Sequence, residues 1–272
     1  MTAARSVALG ARDLAARLWD LDDAALWGAP ETPVERIVVA WAVTAEMLES
    51  VEPGTLLVCR AHPFFASPTH WRTPAILFGG EGWPFRAAGD DVLVRKRAAL
   101  QDADAVIAWA PDLWHVGPEA AGAAFGRTAG LDTRMVGTTA VADIAPVPFD
   151  DLLDRVLPSW GATRALVLVD PPGDVRSVAL LPGIASPDDI AAAAEAGVDT
   201  ILCGEVVEWE GGPFAQDLAV LERPVGVAAV GTALSEQTVN EVVAERVRAD
   251  ADGLDVTVRA VPDATWTPEE AA

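Results

Sequence analysis

His62, His70 and His115 are the only imidazoles in a chain of 272 residues. His62 and His115 each follow an apolar run of strand length, and Glu236 begins a helix after Val230-Gly231-Thr232, at the exit of a third run, Val225 to Val230. Glu205 lies just past a fourth run, Thr200-Ile-Leu-Cys203. In open α/β folds the reactive loops lie beyond the carboxyl ends of strands, which selects these four residues. Two imidazoles and a carboxylate can hold one divalent ion, iron or zinc, with open positions for substrate. The same groups can serve as acid and base without a metal. The commoner roles of such residues are plainer: a loop histidine bonds a backbone carbonyl, and a glutamate in a first helical turn answers the helix dipole. Spacing alone leaves these readings open.

Of the ten tryptophans, Trp109, Trp114 and Trp209 fall at or beside the selected loops. Core filling is the default for any one indole, but three at such loops point to an aromatic-lined pocket for a small organic molecule. Asp20, Asp22 and Asp23 form a short acidic cluster whose ordinary role is a solvated helix end. Cys59 and Cys203 sit within apolar runs, where free cysteine behaves as an inert small hydrophobe, and two thiols cannot build a disulfide framework. Lys96 is the sole lysine, and its Val-Arg-Lys-Arg-Ala context resembles neither a P-loop nor a Schiff-base site. Neither Gly-x-Gly-x-x-Gly at a strand-to-helix turn nor Gly-x-Ser-x-Gly occurs, so dinucleotide binding and a serine hydrolase have no support.

The elements that must position these residues alternate. Helices are expected over 11–21, 44–50, 90–103, 117–130, 149–157, 186–197 and 236–248, the last with Val239, Val242, Val243 and Val247 on one stripe. Strands are expected over 36–43, 54–60, 75–78, 105–110, 165–169, 175–181, 200–203, 225–230 and 255–260. The turn Pro171-Pro-Gly-Asp174 suggests that the strands on either side of it pair. Residues 265–272 read as a frayed tail. Strands separated by helices, many apolar on both faces, argue for an α/β architecture of two lobes, 1–135 and 136–272, with mixed and largely parallel sheets.

Composition bounds the partners. The 41 acidic residues outnumber the 19 basic ones for a net charge of −22, which argues against a nucleic-acid backbone or an anionic membrane surface. The first 17 residues hold no apolar block of signal-peptide length, and no 18 consecutive residues are apolar. With only two cysteines, the expectation is a cytoplasmic protein.

At the selected loops the sequence resembles the Nif-three-like family, proteins with a dinuclear metal centre that are also described as GTP cyclohydrolase type I type 2. Trp19-Asp-Leu-Asp-Asp-Ala-Ala-Leu-Trp-Gly28 is similar to the family's opening segment. Leu56-Leu-Val-Cys-Arg-Ala-His-Pro-Phe-Phe65 is similar to the strand leading into its His-His-Pro motif. Gly197-Val-Asp-Thr-Ile-Leu-Cys-Gly-Glu205 resembles the segment ending in Thr-Gly-Glu, and Val230-Gly-Thr-Ala-Leu-Ser-Glu236 stands where the family has Gly-His-x-x-x-Glu. The likeness runs nearly end to end and implies a Nif-three-like fold and a homohexameric ring.

It also implies a metal site that this chain has largely lost. His-His-Pro becomes Ala61-His62-Pro63, and His-Thr-x-x-Asp after the middle strand becomes Ala110-Pro-Asp-Leu-Trp114. Thr232 replaces the family's second-half histidine, so His62 and Glu236 alone survive at the matched positions. Two side chains cannot hold a pair of cations tightly. One outcome is a single divalent metal on His62, His115 and Glu236, a mononuclear hydrolase. The other is a cleft with no metal, lined by Trp109, Trp114, Trp209 and Thr232, in which His62 with Glu236 or Glu205 performs hydrolase-like or lyase-like acid–base chemistry. A third reading is a non-catalytic hexameric binding or scaffold protein.

Overall fold

The computed structural model describes residues 9–18, 26–64, 91–221 and 223–262. Trp19, the Asp20–Asp23 cluster, His70, the strand expected over 75–78 and the tail from 265 lie outside the described residues. The chain divides into two compact units, one of residues 1–113 and 243–259, the other of residues 114–242 and 260–272. The division falls earlier than the 135/136 boundary read from the sequence, and the last strand returns to the first unit.

Unit 1 is built on a five-stranded sheet in the order β1 (Leu26–Trp27), β4 (Val106–Trp109), β3 (Thr55–Cys59), β2 (Arg36–Ala40) and β11 (Asp255–Arg259). Only β1 runs antiparallel to its neighbour; the other pairings are parallel. Such strands are covered on both faces, which is why β3 is apolar from Leu56 to Cys59 and every one of its residues is buried. Ile37, Leu56, Leu57 and Ile107 are fully enclosed, each contributing about 1.5–3 kcal/mol on burial. Helix α2 (Ala45–Ser50) is capped by Thr44, whose Oγ1 accepts from the Met47 amide at 3.1 Å. Helix α3 (Asp91–Asp102) leads into β4.

Unit 2 carries a six-stranded sheet in the order β5 (Thr133–Val136), β6 (Thr139–Val147), β8 (Val175–Ala185), β9 (Thr200–Val206), β10 (Gly226–Ala229) and β7 (Leu166–Val169). The central β8–β9–β10 pairings are parallel, with antiparallel pairing toward both edges, so both sheets are mixed. The β5–β6 hairpin occupies a stretch the sequence reading treats as the lobe boundary. Strand β7 pairs with β10 and not with β8, which corrects the hairpin expected at Pro171–Asp174.

The helices of unit 2 are α4 (Pro118–Thr128), α5 (Phe149–Val156), α6 (Pro187–Glu195), α7 (Gly211–Leu221) and the short α8 (Thr232–Glu236). Helix α7 is absent from the sequence reading. A capping box holds α6: Asp189 Nα donates to Ser186 Oγ at 3.2 Å, and Asp189 Oδ2 accepts from the Ser186 amide at 2.9 Å. The helix expected from Glu236 is interrupted. Glu236 ends α8, a short 3-10 turn over Gln237–Val239 follows, and α9 (Asn240–Asp250) begins at Asn240. Glu236 therefore does not sit in the first turn of a long helix, and dipole compensation does not explain it. Among the described residues, no helix is long and apolar enough to cross a membrane.

Candidate functional site

In unit 1, His62 follows β3 through a turn whose Arg60 and Ala61 amides donate to Trp41 O at 3.1 and 2.8 Å. The imidazole lies edge-on to two indoles, with ring centroids 5.1 Å from Trp27 and 5.0 Å from Trp109. Trp109 Nε1 donates to Arg60 O at 2.9 Å, which fixes that indole beside the histidine. His62 Nδ1 accepts from the Phe64 amide at 3.2 Å. The main chain thus engages the Nδ1 lone pair.

In unit 2 the site forms where β8, β9 and α8 touch. Between Leu181/Cys203 and Ile184/Glu205 the β8–β9 register shifts, placing an extra residue in β8 at Pro182-Gly183. Bulges of this kind re-aim neighbouring side chains and end local pairing. The Gly183 amide donates to Ser235 Oγ at 2.9 Å. A Cβ on Gly183 would lie 2.9 Å from Glu236 Oε1, so the carboxylate rests directly against the bulge. The Gly231 amide donates to Gly204 O at 2.7 Å and the Ser235 amide to Gly231 O at 3.0 Å, tying the start of α8 to β9.

Trp114 opens unit 2 and is buried, its Nε1 donating to Asn240 Oδ1 at 3.0 Å. His115 follows it and is exposed. Trp114, His115 and Glu236 line one cavity of about 440 Å³, with Leu181, Ile184 and Asp189 on other parts of its wall. That volume suits a small organic ligand, and the wall combines apolar surface with an imidazole and two carboxylates. Asp189 is held in its capping box, which leaves Glu236 and His115 as the side chains of this wall suited to proton exchange.

The other sequence-selected residues lie elsewhere. Thr232 Oγ1 donates to Glu205 Oε2, so these two are partners of each other in unit 2 and do not line the cavity. Trp109 belongs to the His62 cluster of unit 1. Trp209 stands ahead of α7 with 76% of its surface exposed. His62 is in unit 1, whereas His115 and Glu236 are in unit 2. Among the described residues, no three His, Cys, Asp or Glu side chains are grouped so as to hold a metal ion. Sequence reasoning passed over Asn240 and Gly183, although the polar residue breaking the Val239–Val247 stripe and the Pro182-Gly183 pair inside an apolar run were visible signals.

The residues present do not fit a dinuclear metal centre. In unit 1 the Phe64 amide engages His62 Nδ1, and Ala61 and Ala110, where the resemblance would place histidines, offer no donor. In unit 2 a hydroxyl, Thr232 Oγ1, donates its proton to a carboxylate in the place of a nitrogen lone pair.

No family model and no curated protein matches the chain. Solved structures do resemble it. A Bacillus cereus protein related to NIF3 is 13% identical, with a TM-score of 0.58 over 97% of this chain and 99% of that one. The Staphylococcus aureus protein SA1388 is 10% identical, with a TM-score of 0.61 over 89% of this chain and 90% of that one. The protein ybgI, of unknown function, is 20% identical, with a TM-score of 0.60 over 88% of this chain and 89% of that one. Identities this low speak for architecture alone, and the architecture is the Nif-three-like fold that the motifs near His62, Glu205 and Glu236 had implied.

Proposed function

We propose that this chain is a divergent Nif-three-like protein that binds a small organic molecule in the unit 2 cavity and exchanges a proton with it through Glu236 and His115, without a dinuclear metal centre. One observation carries the reading: Trp114 and His115, from the loop after β4, and Glu236, from the helix after β10, line the same cavity despite their distance in sequence. The apolar part of the wall can receive the body of such a ligand, with the polar side chains left to orient it. A carboxylate that accepts and an imidazole that donates suit a reaction in which one proton leaves the ligand as another arrives, the requirement of hydrolase-like and lyase-like steps.

The test is a thermal-shift screen of small polar organic molecules, followed by calorimetric binding to Glu236→Gln and His115→Ala. Ligands of this cavity should bind each variant at least about tenfold more weakly, and any turnover should fall by roughly 10²–10⁴. Ligands that bind both variants as tightly as the parent protein would overturn the assignment.

A further inference from the structure

We propose that unit 1 holds a second, separate site for an aromatic carboxylate that also carries a hydroxyl or amine on the far side of its ring. The cavity lies beside β1, the start of β4 and the last turns of α3, and measures about 450 Å³. Trp27 and Phe64 supply aromatic wall, their rings inclined at 56° with centroids 6.0 Å apart, and Leu100 adds aliphatic surface. A wall of this kind suits a flat apolar ring. It is also closely built. Gly28 has φ +108°, and a Cβ there would lie 2.6 Å from Ala105 O, so the chain leaving β1 passes directly against the residue before β4.

The same wall carries one cation and one anion. Arg97 and Gln101 are one turn apart on α3 and share a face, and Asp104 follows two residues past the end of that helix. The Arg97 guanidinium carbon lies over the Phe64 ring, 5.5 Å from its centroid. A ring face holds such a cation in place without supplying a countercharge, and among the described residues no carboxylate pairs with Arg97. Its forked donors match a ligand carboxylate, with the Gln101 amide as a further donor beside them. Asp104 is held by its main chain: its amide donates to Gln101 O at 3.2 Å, and its own carbonyl accepts from the Gly54 amide at 3.0 Å. Its carboxylate accepts from an O–H or N–H and repels a second ligand anion, which selects a donor for the far side of the ring. The site shares no lining residue with the His115–Glu236 cavity, so either assignment can fail without the other.

The probe is para-hydroxybenzoate, compared by calorimetry with phenol and terephthalate. Phenol lacks the carboxylate and should bind at least about tenfold more weakly. Terephthalate sets a second carboxylate against Asp104 and should also bind more weakly, by a margin that narrows in Asp104→Asn. Arg97 is exposed, so Arg97→Gln should keep the parent's melting temperature while weakening para-hydroxybenzoate at least about tenfold. In protein labelled with fluorotryptophan, the Trp27 resonance, identified by its loss in Trp27→Phe, should shift as the probe saturates. Absence of saturable binding, phenol binding as tightly as para-hydroxybenzoate, unchanged affinity in Arg97→Gln, or an unmoved Trp27 resonance would each overturn the proposal.

Discussion

The Gly183 amide donates to Ser235 Oγ at 2.9 Å, joining the β8 bulge to the helix that carries Glu236. The same hydroxyl donates to Thr232 O at 2.9 Å, so one serine closes the first turn of α8 and anchors it to the sheet. The contact depends on the absence of side chains from the two strands beneath it. Gly183 has φ +84°, and a Cβ on Gly204 would lie 2.3 Å from Ser235 Oγ and 2.5 Å from Gly183 O.

Gly183→Ala and Gly204→Ala should therefore differ in severity. At Gly183 the new methyl meets the far end of a flexible glutamate, so the main cost is the positive φ, about 1 kcal/mol. At Gly204 the obstruction is backbone that cannot rotate away, and the expected loss is about 3 kcal/mol or more. Urea unfolding at constant m-value measures both. A Gly204→Ala protein within about 0.5 kcal/mol of the parent would show that the β8–β9–α8 junction is looser than described.

Trp114 and Asn240 form a buried polar pair that should reveal itself in a double-mutant cycle. Asn240 is 1% exposed, its Oδ1 accepts from the indole, and its Nδ2 has no hydrogen-bond partner among the described residues. Asn240→Leu strands the indole N–H, and Trp114→Phe strands the amide oxygen, each at about 1–3 kcal/mol beyond packing changes. The double variant removes both polar groups, so its loss should be smaller than the sum of the single losses by about 1 kcal/mol or more. Strict additivity in denaturant unfolding would remove Asn240 from the account of how Trp114 is held.

Much of this arrangement is legible in the chain itself, and the exceptions have specific causes. Buried strands such as Leu56–Cys59 announce themselves because parallel pairing demands apolar residues on both faces. The β5–β6 hairpin is half-exposed and polar in places, with Arg134 and Asp143 paired across it at 2.7 Å, and so it reads as a boundary. The Pro-Pro-Gly-Asp turn after β7 looks sufficient for a hairpin with β8, yet β7 pairs with β10. Asp199 decides otherwise: its Oδ2 accepts from the Arg176 and Ser177 amides at 2.7 and 3.0 Å, holding the start of β8 against β9. The selection of Trp114, His115 and Glu236 came from strand exits, a rule of topology, and these three do line one cavity. Trp209 met the same rule and stands in solvent, since the rule marks a loop and not the direction of a side chain.

Alkaline pH should weaken the fold through its two thiols. Burial pushes the Cys59 thiol up to about 12, with Lys96 pulling slightly the other way, and burial with the Glu205 charge pushes Cys203 up to about 12. The unfolded chain releases these protons near 9, whereas the folded chain keeps them. Stability from the thiols is thus complete below pH 9 and falls between pH 9 and 12, by up to about 1.4 kcal/mol per pH unit for each. Lys96 acts with the opposite sign: its lowered pKa means the unfolded chain binds the proton more tightly, so stability rises with pH up to its ordinary value of 10.5. The thiol contribution should dominate above that value. Melting temperatures from pH 7 to 11.5 for the parent and a Cys59→Ala/Cys203→Ala variant isolate it, and parallel profiles would refute it.

Metal content is the remaining test, and restored ligands make it two-sided. His62 Nδ1 accepts from the Phe64 amide and Thr232 Oγ1 donates to Glu205, so both groups are already engaged within the protein. Protein grown with added zinc and iron, then washed with chelator, should retain far less than one equivalent per chain by elemental analysis. Within unit 2 alone, Thr232→His places an imidazole four residues before Glu236 on α8 and breaks the hydroxyl–Glu205 bond. Metal retention should then rise above the parent's level, because side chains at i and i+4 share a helix face and imidazole with carboxylate suits such ions. A parent protein that already retains two tightly held ions per chain would refute the metal-free reading, and the acid–base roles given to His115 and Glu236 would fall with it.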